Sequence, residues 1–259
     1  MTVIAPIVEA YVGEYASGKS ENAVNRAIAL HRTGHAVTLV DLDTVEPCYT
    51  IRPIKRELEA MGLDVVAWET RDTVGLGEAG SVIMGSMRWV LRRKGSIIMD
   101  IGYGVHGARI FNLIEGADEN PYLKIIAVIN MSRPFTSTVE NILEYVSTLG
   151  RVDALLNNTH LAEETTVDIV QKGARGIAEA AHQLGLPMIA TSAVTEIAEQ
   201  IGEYDCMGNP VRTKDGNSVR PLAPARGMPP TPLNRTFRCR EGHGRPRAAN
   251  GAKAPRVAQ

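Results

Sequence analysis

Short apolar runs alternate with amphipathic stretches through the first two hundred residues. The runs Ile7–Val12, Ala36–Leu42, Val65–Trp68, Ser96–Ile101, Leu123–Ile129, Ala154–Asn157 and Met188–Thr191 are mostly continuous aliphatic blocks. A strand that is apolar at every position is covered on both faces, the habit of parallel sheets. Between the runs, apolar residues return at helical spacing. Ala23, Ala27 and Leu30 mark a helix from Lys19 to Gly34, and Val139, Ile142, Leu143, Val146 and Leu149 mark another, behind a Ser137-x-x-Glu140 capping pair and before Gly150. A third begins near Thr165, has Asp168 in its first turn, and runs through Val170, Ile177, Ala181 and Leu184 to Gly185. These stripes read as core. With no internal repeat, the alternation predicts an α/β protein of three layers: a mostly parallel open sheet of about seven strands with helices on both faces. In such sheets ligands bind at the carboxyl ends of strands, so chemistry is expected just after the apolar runs.

Composition narrows the class. Of 259 residues, 44% are hydrophobic and 22% charged, which suits a globular protein, and no apolar run has the length of a membrane span. The start, MTVIAPIVEAYVG, has no basic segment ahead of its apolar stretch, so it reads as a first buried strand, and the expected compartment is the cytoplasm. Three widely spaced cysteines, Cys48, Cys206 and Cys239, fit reducing conditions better than a disulfide framework.

The net charge of -1 conceals an asymmetry. Residues 209–259 hold eleven Lys and Arg against two acidic residues, and eight of the fourteen prolines. No periodic apolar stripe is present there to offset the ordering entropy. The expected division is therefore a nucleotide-binding domain at 1–208 and a flexible basic tail at 209–259. Cys239-x-x-x-His243 has a metal-like spacing without the second pair that a structural zinc requires.

The chemistry begins at Gly13-Glu14-Tyr15-Ala16-Ser17-Gly18-Lys19-Ser20, which satisfies G-x-x-x-x-G-K-[ST] between an expected strand and an expected helix. Glycines let successive backbone N–H groups converge on phosphate oxygens, and the following helix, opening Lys19-Ser20-Glu21, aims its positive end at the same point. Lys19 is assigned to the β- and γ-phosphates and Ser20 to Mg2+. Two further runs end in carboxylates, at Asp41-Leu42-Asp43 and Asp100-Ile101-Gly102. A nucleotide–Mg2+ site needs an acid near the metal and another group to orient a water. Asp100 is the candidate for the first role and Asp43 for the second, also near the metal, with Asp41 structural or in an outer shell. Gly102 or Gly104 could offer an N–H to the γ-phosphate.

Guanine readers typically use Asn-Lys-x-Asp, and neither strand-end asparagine cluster supplies the aspartate: three residues after Asn157 and Asn158 stand His160 and Leu161, and three after Asn130 stands Arg133. An asparagine amide can pair with adenine. ATP is expected, with Asn158 the first choice as reader and Asn157 the second.

This motif order, from the phosphate loop through VDLD and IMDIG to LLNN, resembles the MinD/ParA/CobQ-CobB group of P-loop ATPases, of the SIMIBI class, over about residues 5–200. The resemblance implies Asp43 as the water-orienting aspartate, Asp100 as the Mg2+-shell aspartate, Asn158 as the adenine reader, and Pro187–Ser192 as a loop near the base. One departure matters. MinD- and ParA-like members carry a second lysine after the first loop glycine, where this chain has Glu14. A carboxylate repels phosphate, so Glu14 is expected to face outward and the two-subunit nucleotide sandwich does not carry over. A homodimer would need another cation, such as Arg52 or Arg133, to complete the site.

The functional expectation is an Mg2+-dependent ATPase with slow turnover, switching an unidentified protein partner. Alternatives are a small-molecule kinase or ATP-dependent ligase of CobB/CobQ type, marked by metabolite-dependent ATP consumption, and a DNA-associated partition-type ATPase. Nucleic acid would be met only through the basic tail.

Overall fold

The computed structural model describes residues 5–43, 51–68 and 83–214. In chain order these form β1 (Val8–Gly13), α1 (Lys19–Arg32), β2 (Val37–Leu42), α2 (Lys55–Ala60), β3 (Asp64–Val66), α3 (Gly85–Arg88), β4 (Ser96–Ile101), α4 (Gly104–Ala108), β5 (Leu123–Ile129), α5 (Val139–Thr148), β6 (Ala154–Asn157), α6 (Val167–Leu184), β7 (Met188–Val194), α7 (Thr195–Ile201) and β8 (Val211–Lys214). The strands make one parallel sheet in the order β3-β2-β4-β1-β5-β6-β7-β8. The continuous runs are thus strands covered on both faces: every residue of β1, β2 and β4 is buried.

The sheet has eight strands where about seven were expected. The extra strand, Val-Arg-Thr-Lys at 211–214, lies inside the stretch assigned to the tail, so these four residues belong to the sheet and not to an appendage. Among the described residues β8 pairs with β7 alone, and a strand at the edge needs no continuous apolar run. Residues past Lys214, with Cys239 and His243, lie outside the described residues, as do Cys48 and the stretch between Asp43 and Ile51.

Alternation within β1 divides the core. Ala10 and Val12 join Ile142, Val146 and Ile177 on one face, and Tyr11 joins Ala23, Ala27 and Leu30 on the other. Fully burying an aliphatic side chain of this size stabilises by about 1.5–3 kcal/mol, so these stripes hold α1, α5 and α6 to the sheet. Thr138, and not Ser137, caps α5, its hydroxyl accepting the Asn141 N–H at 3.2 Å. Thr166 caps α6 likewise, through the Ile169 N–H at 3.3 Å. Gly185 ends α6 at φ 66°, the left-handed turn that glycine adopts without strain.

β1 lies between β4 and β5, and the helices that follow β1 and β5 pack on opposite faces. That is a topological switch point, which leaves a crevice at the carboxyl end of β1.

Candidate phosphate-loop site

The segment leaving β1 turns tightly before entering α1. Ser17 N–H donates to the Glu14 carbonyl at 3.1 Å, and Gly18 adopts φ 92°. A Cβ at Gly18 would stand 2.1 Å from Asn158 Nδ2, and one at Gly13 would stand 2.6 Å from the Val128 carbonyl oxygen. Only glycine fits both positions. Lys19 is buried at the start of α1, its ammonium donating to the Glu14 carbonyl at 3.1 Å. Tyr15, exposed in the middle of the loop, meets Tyr103 edge-on with ring centroids 5.5 Å apart.

The carboxylates arrive by register. Asp41 on β2 pairs directly across from Asp100 on β4, and Asp100 across from Tyr11 on β1, two residues ahead of the loop. Asp100 is fully buried. Burial, then the neighbouring charge of Asp41 and, less, of Asp43, push its carboxyl up to about 8, against the pull of the Ser20 hydroxyl and the Lys19 ammonium. Among the described residues, neither carboxylate oxygen accepts a hydrogen bond of ordinary geometry. Asp41 is committed locally: Oδ1 accepts the Asp43 N–H at 3.0 Å and Oδ2 lies 3.4 Å from Arg52 Nε. Arg52 also donates to the Asp43 carbonyl at 3.0 Å, so this arginine braces the end of β2 within its own chain.

Other buried polar atoms around the loop also lack a hydrogen-bond partner among the described residues, Ser17 Oγ and Asn158 Oδ1 among them. Folded interiors rarely leave such atoms unsatisfied without a ligand or water to complete them. Together with the acidic Asp100, the Ser20 hydroxyl and the loop amides, this donor set fits a polyphosphate with Mg2+. Among the described residues no three His, Cys, Asp or Glu side chains group into a self-sufficient metal site. Mg2+ bound with nucleotides needs none, because it takes one or two protein oxygens and fills its shell from phosphate and water.

Several expectations change. Glu14 does not face outward. It is buried, and its carboxylate accepts the Phe135 N–H at 3.2 Å and the Thr136 hydroxyl at 3.0 Å. A carboxylate finds donors more cheaply there than beside a phosphate, so Glu14 pins the loop to the segment after β5. Asn157 cannot read a base: its amide donates to the Val170 carbonyl and to Thr191 Oγ1, each at 3.1 Å, and its oxygen accepts the Thr159 N–H at 3.0 Å. Asn158 is buried and donates to the Ser17 carbonyl at 2.7 Å, binding the end of β6 to the phosphate loop, while its oxygen has no partner among the described residues. The Glu21 carboxylate points to β8, pairing with Lys214 at 3.0 Å. Pro187–Ser192 is no loop. Its residues run into β7, whose start lies at the amino end of the parallel strands, opposite the site; Thr191 and Ser192 approach the site, Thr191 through Asn157 and Ser192 through Asn22. Asn130 accepts the Ser132 and His160 N–H groups, linking the segments after β5 and β6, while Arg133 lies near His160, whose imidazole is pushed down to about 4 by burial first and by Lys214 and Arg133 against Glu21.

Sequence reasoning missed Phe135, Thr136 and Asn22 as parts of the site. Thr136 meets Glu14 across 122 residues of chain, a pairing without local signal. Asn22, which donates to the Gly18 carbonyl at 2.9 Å, could have been noticed by its place one turn into the helix.

An eight-stranded parallel sheet, helices on both faces and a glycine-bounded loop at the switch point define a P-loop NTPase fold. Solved structures agree at that level. The chain resembles the cell division protein FtsY from Thermotoga maritima, with a TM-score of 0.50 at 16% identity, over 74% of this chain and 63% of that one. It also resembles the signal recognition particle receptor FtsY from Elizabethkingia anophelis, with a TM-score of 0.52 at 15% identity, over 76% of this chain and 62% of that one. A second structure of that receptor, in complex with GDP, matches with a TM-score of 0.50 at 16% identity, over 76% of this chain and 60% of that one. The chain thus spans less than two thirds of these proteins, and at such identities the likeness is one of fold. No family model matches the chain. No curated protein matches it either.

Proposed function

We propose that the protein binds Mg-ATP in the Gly13–Ser20 loop and hydrolyses it slowly, as a nucleotide-driven switch on a partner protein. The observation that carries this reading is the buried Asp100 carboxyl beside Ser20 and Lys19, its oxygens without an ordinary hydrogen bond among the described residues, at the mouth of a loop whose shape only glycine permits. The loop amides and the Lys19 ammonium hold the polyphosphate and stabilise charge as it shifts toward the leaving group. Bound Mg2+, held through Ser20 and Asp100, supplies neutralisation of the phosphate charge. Asp43, at the end of β2, orients the attacking water. Rearrangement of the segment following Asp100 then alters the surface offered to the partner.

ATP is preferred because no aspartate follows either strand-end asparagine cluster at the guanine-reading offset. GTP is the second reading, favoured by the GDP complex of the similar Elizabethkingia receptor. Calorimetric titration with Mg-ATP and Mg-GTP decides between them. The Lys19→Ala variant should bind neither; unchanged nucleotide affinity in that variant would refute the site.

A further inference from the structure

A cleft of about 400 Å3 opens between the flank of α1 and the edge strand β8; it meets the phosphate-loop site at Asn22 and Ser192, and none of residues 13–20 lines it. Asn22, Arg26 and Arg32 of α1, Ser192 of β7, and Arg212 and Lys214 of β8 line it, and no acidic residue does. Two periodicities bring these side chains together. Asn22, Ala29 and Arg32 recur at helical spacing along one flank of α1, and Arg212 and Lys214, two apart, share one face of β8.

The charge is only partly compensated. Arg26 pairs with Glu9 at 3.0 Å and Lys214 with Glu21 at 3.0 Å. Among the described residues no carboxylate lies within ion-pair distance of Arg32 or of Arg212; the Arg212 guanidinium reaches the Tyr11 hydroxyl at 3.4 Å and helps hold the nearby Glu9 carboxyl below its ordinary value, so Arg32 is the cation left most open.

We propose that this cleft is a second ligand site, separate from the phosphate loop, for a small polyanion bearing phosphate or carboxylate groups. Guanidinium forks match both oxyanions, taking them in paired, charge-assisted hydrogen bonds. The ion pairs to Glu9 and Glu21 hold two of the cations in place, so the ligand meets a wall already formed. The volume lies in the range of small-molecule sites.

The test is calorimetry on the full chain with inorganic pyrophosphate and, separately, with citrate, at about 0.15 M salt to screen loose attraction. Pyrophosphate should show two classes of site. Lys19→Ala should remove the one in the phosphate loop, and Arg32→Gln with Arg212→Gln should weaken the other at least tenfold. Citrate bound with the same sensitivity to the arginine substitutions assigns a carboxylate ligand; pyrophosphate alone assigns a phosphate. Arg32 is exposed, so the single Arg32→Glu variant keeps the fold and should weaken cleft binding in its own right. If the arginine variants bind both probes as the parent does, the cleft is no site. If Lys19→Ala changes nothing, the phosphate-loop reading falls and the cleft is unaffected.

Discussion

Asp100 concentrates the electrostatics of the site in one carboxyl. With its folded value raised to about 8 against an ordinary 3.8, the folded chain without nucleotide retains a proton that the unfolded chain has released. Between those values the native state binds more protons, so stability falls as pH rises, at most by about 1.4 kcal/mol per pH unit. Denaturant unfolding from pH 4 to pH 8 should show that decline in the parent and not in Asp100→Asn. Mg-nucleotide binding should release close to one proton near pH 7, read from calorimetry in buffers of different ionisation enthalpy. Asp43→Ala should leave nucleotide affinity within a few-fold of the parent and reduce turnover by about 100-fold or more, measured as phosphate release. The positions of Lys19 at the start of α1, and of Asp43 and Asp100 at strand ends, were legible from residue type and strand pattern. Glu14 was misread because its partners, Phe135 and Thr136, are distant in sequence, and charge alone gives no hint of a nearby donor.

The join between β1 and α1 depends on what cannot be added to it. Gly18→Ala introduces both an unfavourable positive φ and a Cβ 2.1 Å from Asn158 Nδ2. Loss of nucleotide binding and a lower melting temperature are expected. Adding Asn158→Ala removes the clash and leaves the backbone strain, so the double variant should recover part of the stability and not all of it. The cap of α6 is an independent feature: Thr166→Ala should destabilise by about 1 kcal/mol in equilibrium unfolding, without effect on nucleotide affinity. Helix and strand positions were readable because burial imposes periodicity along one segment. The cap of α5 fell one residue from its expected place, since Ser137 and Thr138 both present a hydroxyl and the local geometry selects between them.

The extent of the sheet bears on how the whole chain is cut. β8 supplies backbone pairing to β7 and the buried Lys214 that meets Glu21 at the start of α1. A chain ending at residue 208 should therefore melt lower and less cooperatively than one ending at 214, by circular dichroism. The edge strand escaped the sequence reading because a four-residue strand paired on one side needs no apolar run. Basic residues that suggested a solvated tail are in part a wall of the α1–β8 cleft.

Local chemistry and periodicity were enough to specify a parallel α/β sheet and the loop from Gly13 to Ser20, because backbone curvature, helix spacing and two-sided burial leave their marks within a few adjacent residues. The fate of Glu14, the commitment of Asn157 to the core, the tie from Asn158 to Ser17 and the meeting of α1 with β8 came from the folded chain. Each is a contact between segments far apart in sequence, where energy depends on which donors and acceptors packing brings within 3 Å or so of one another.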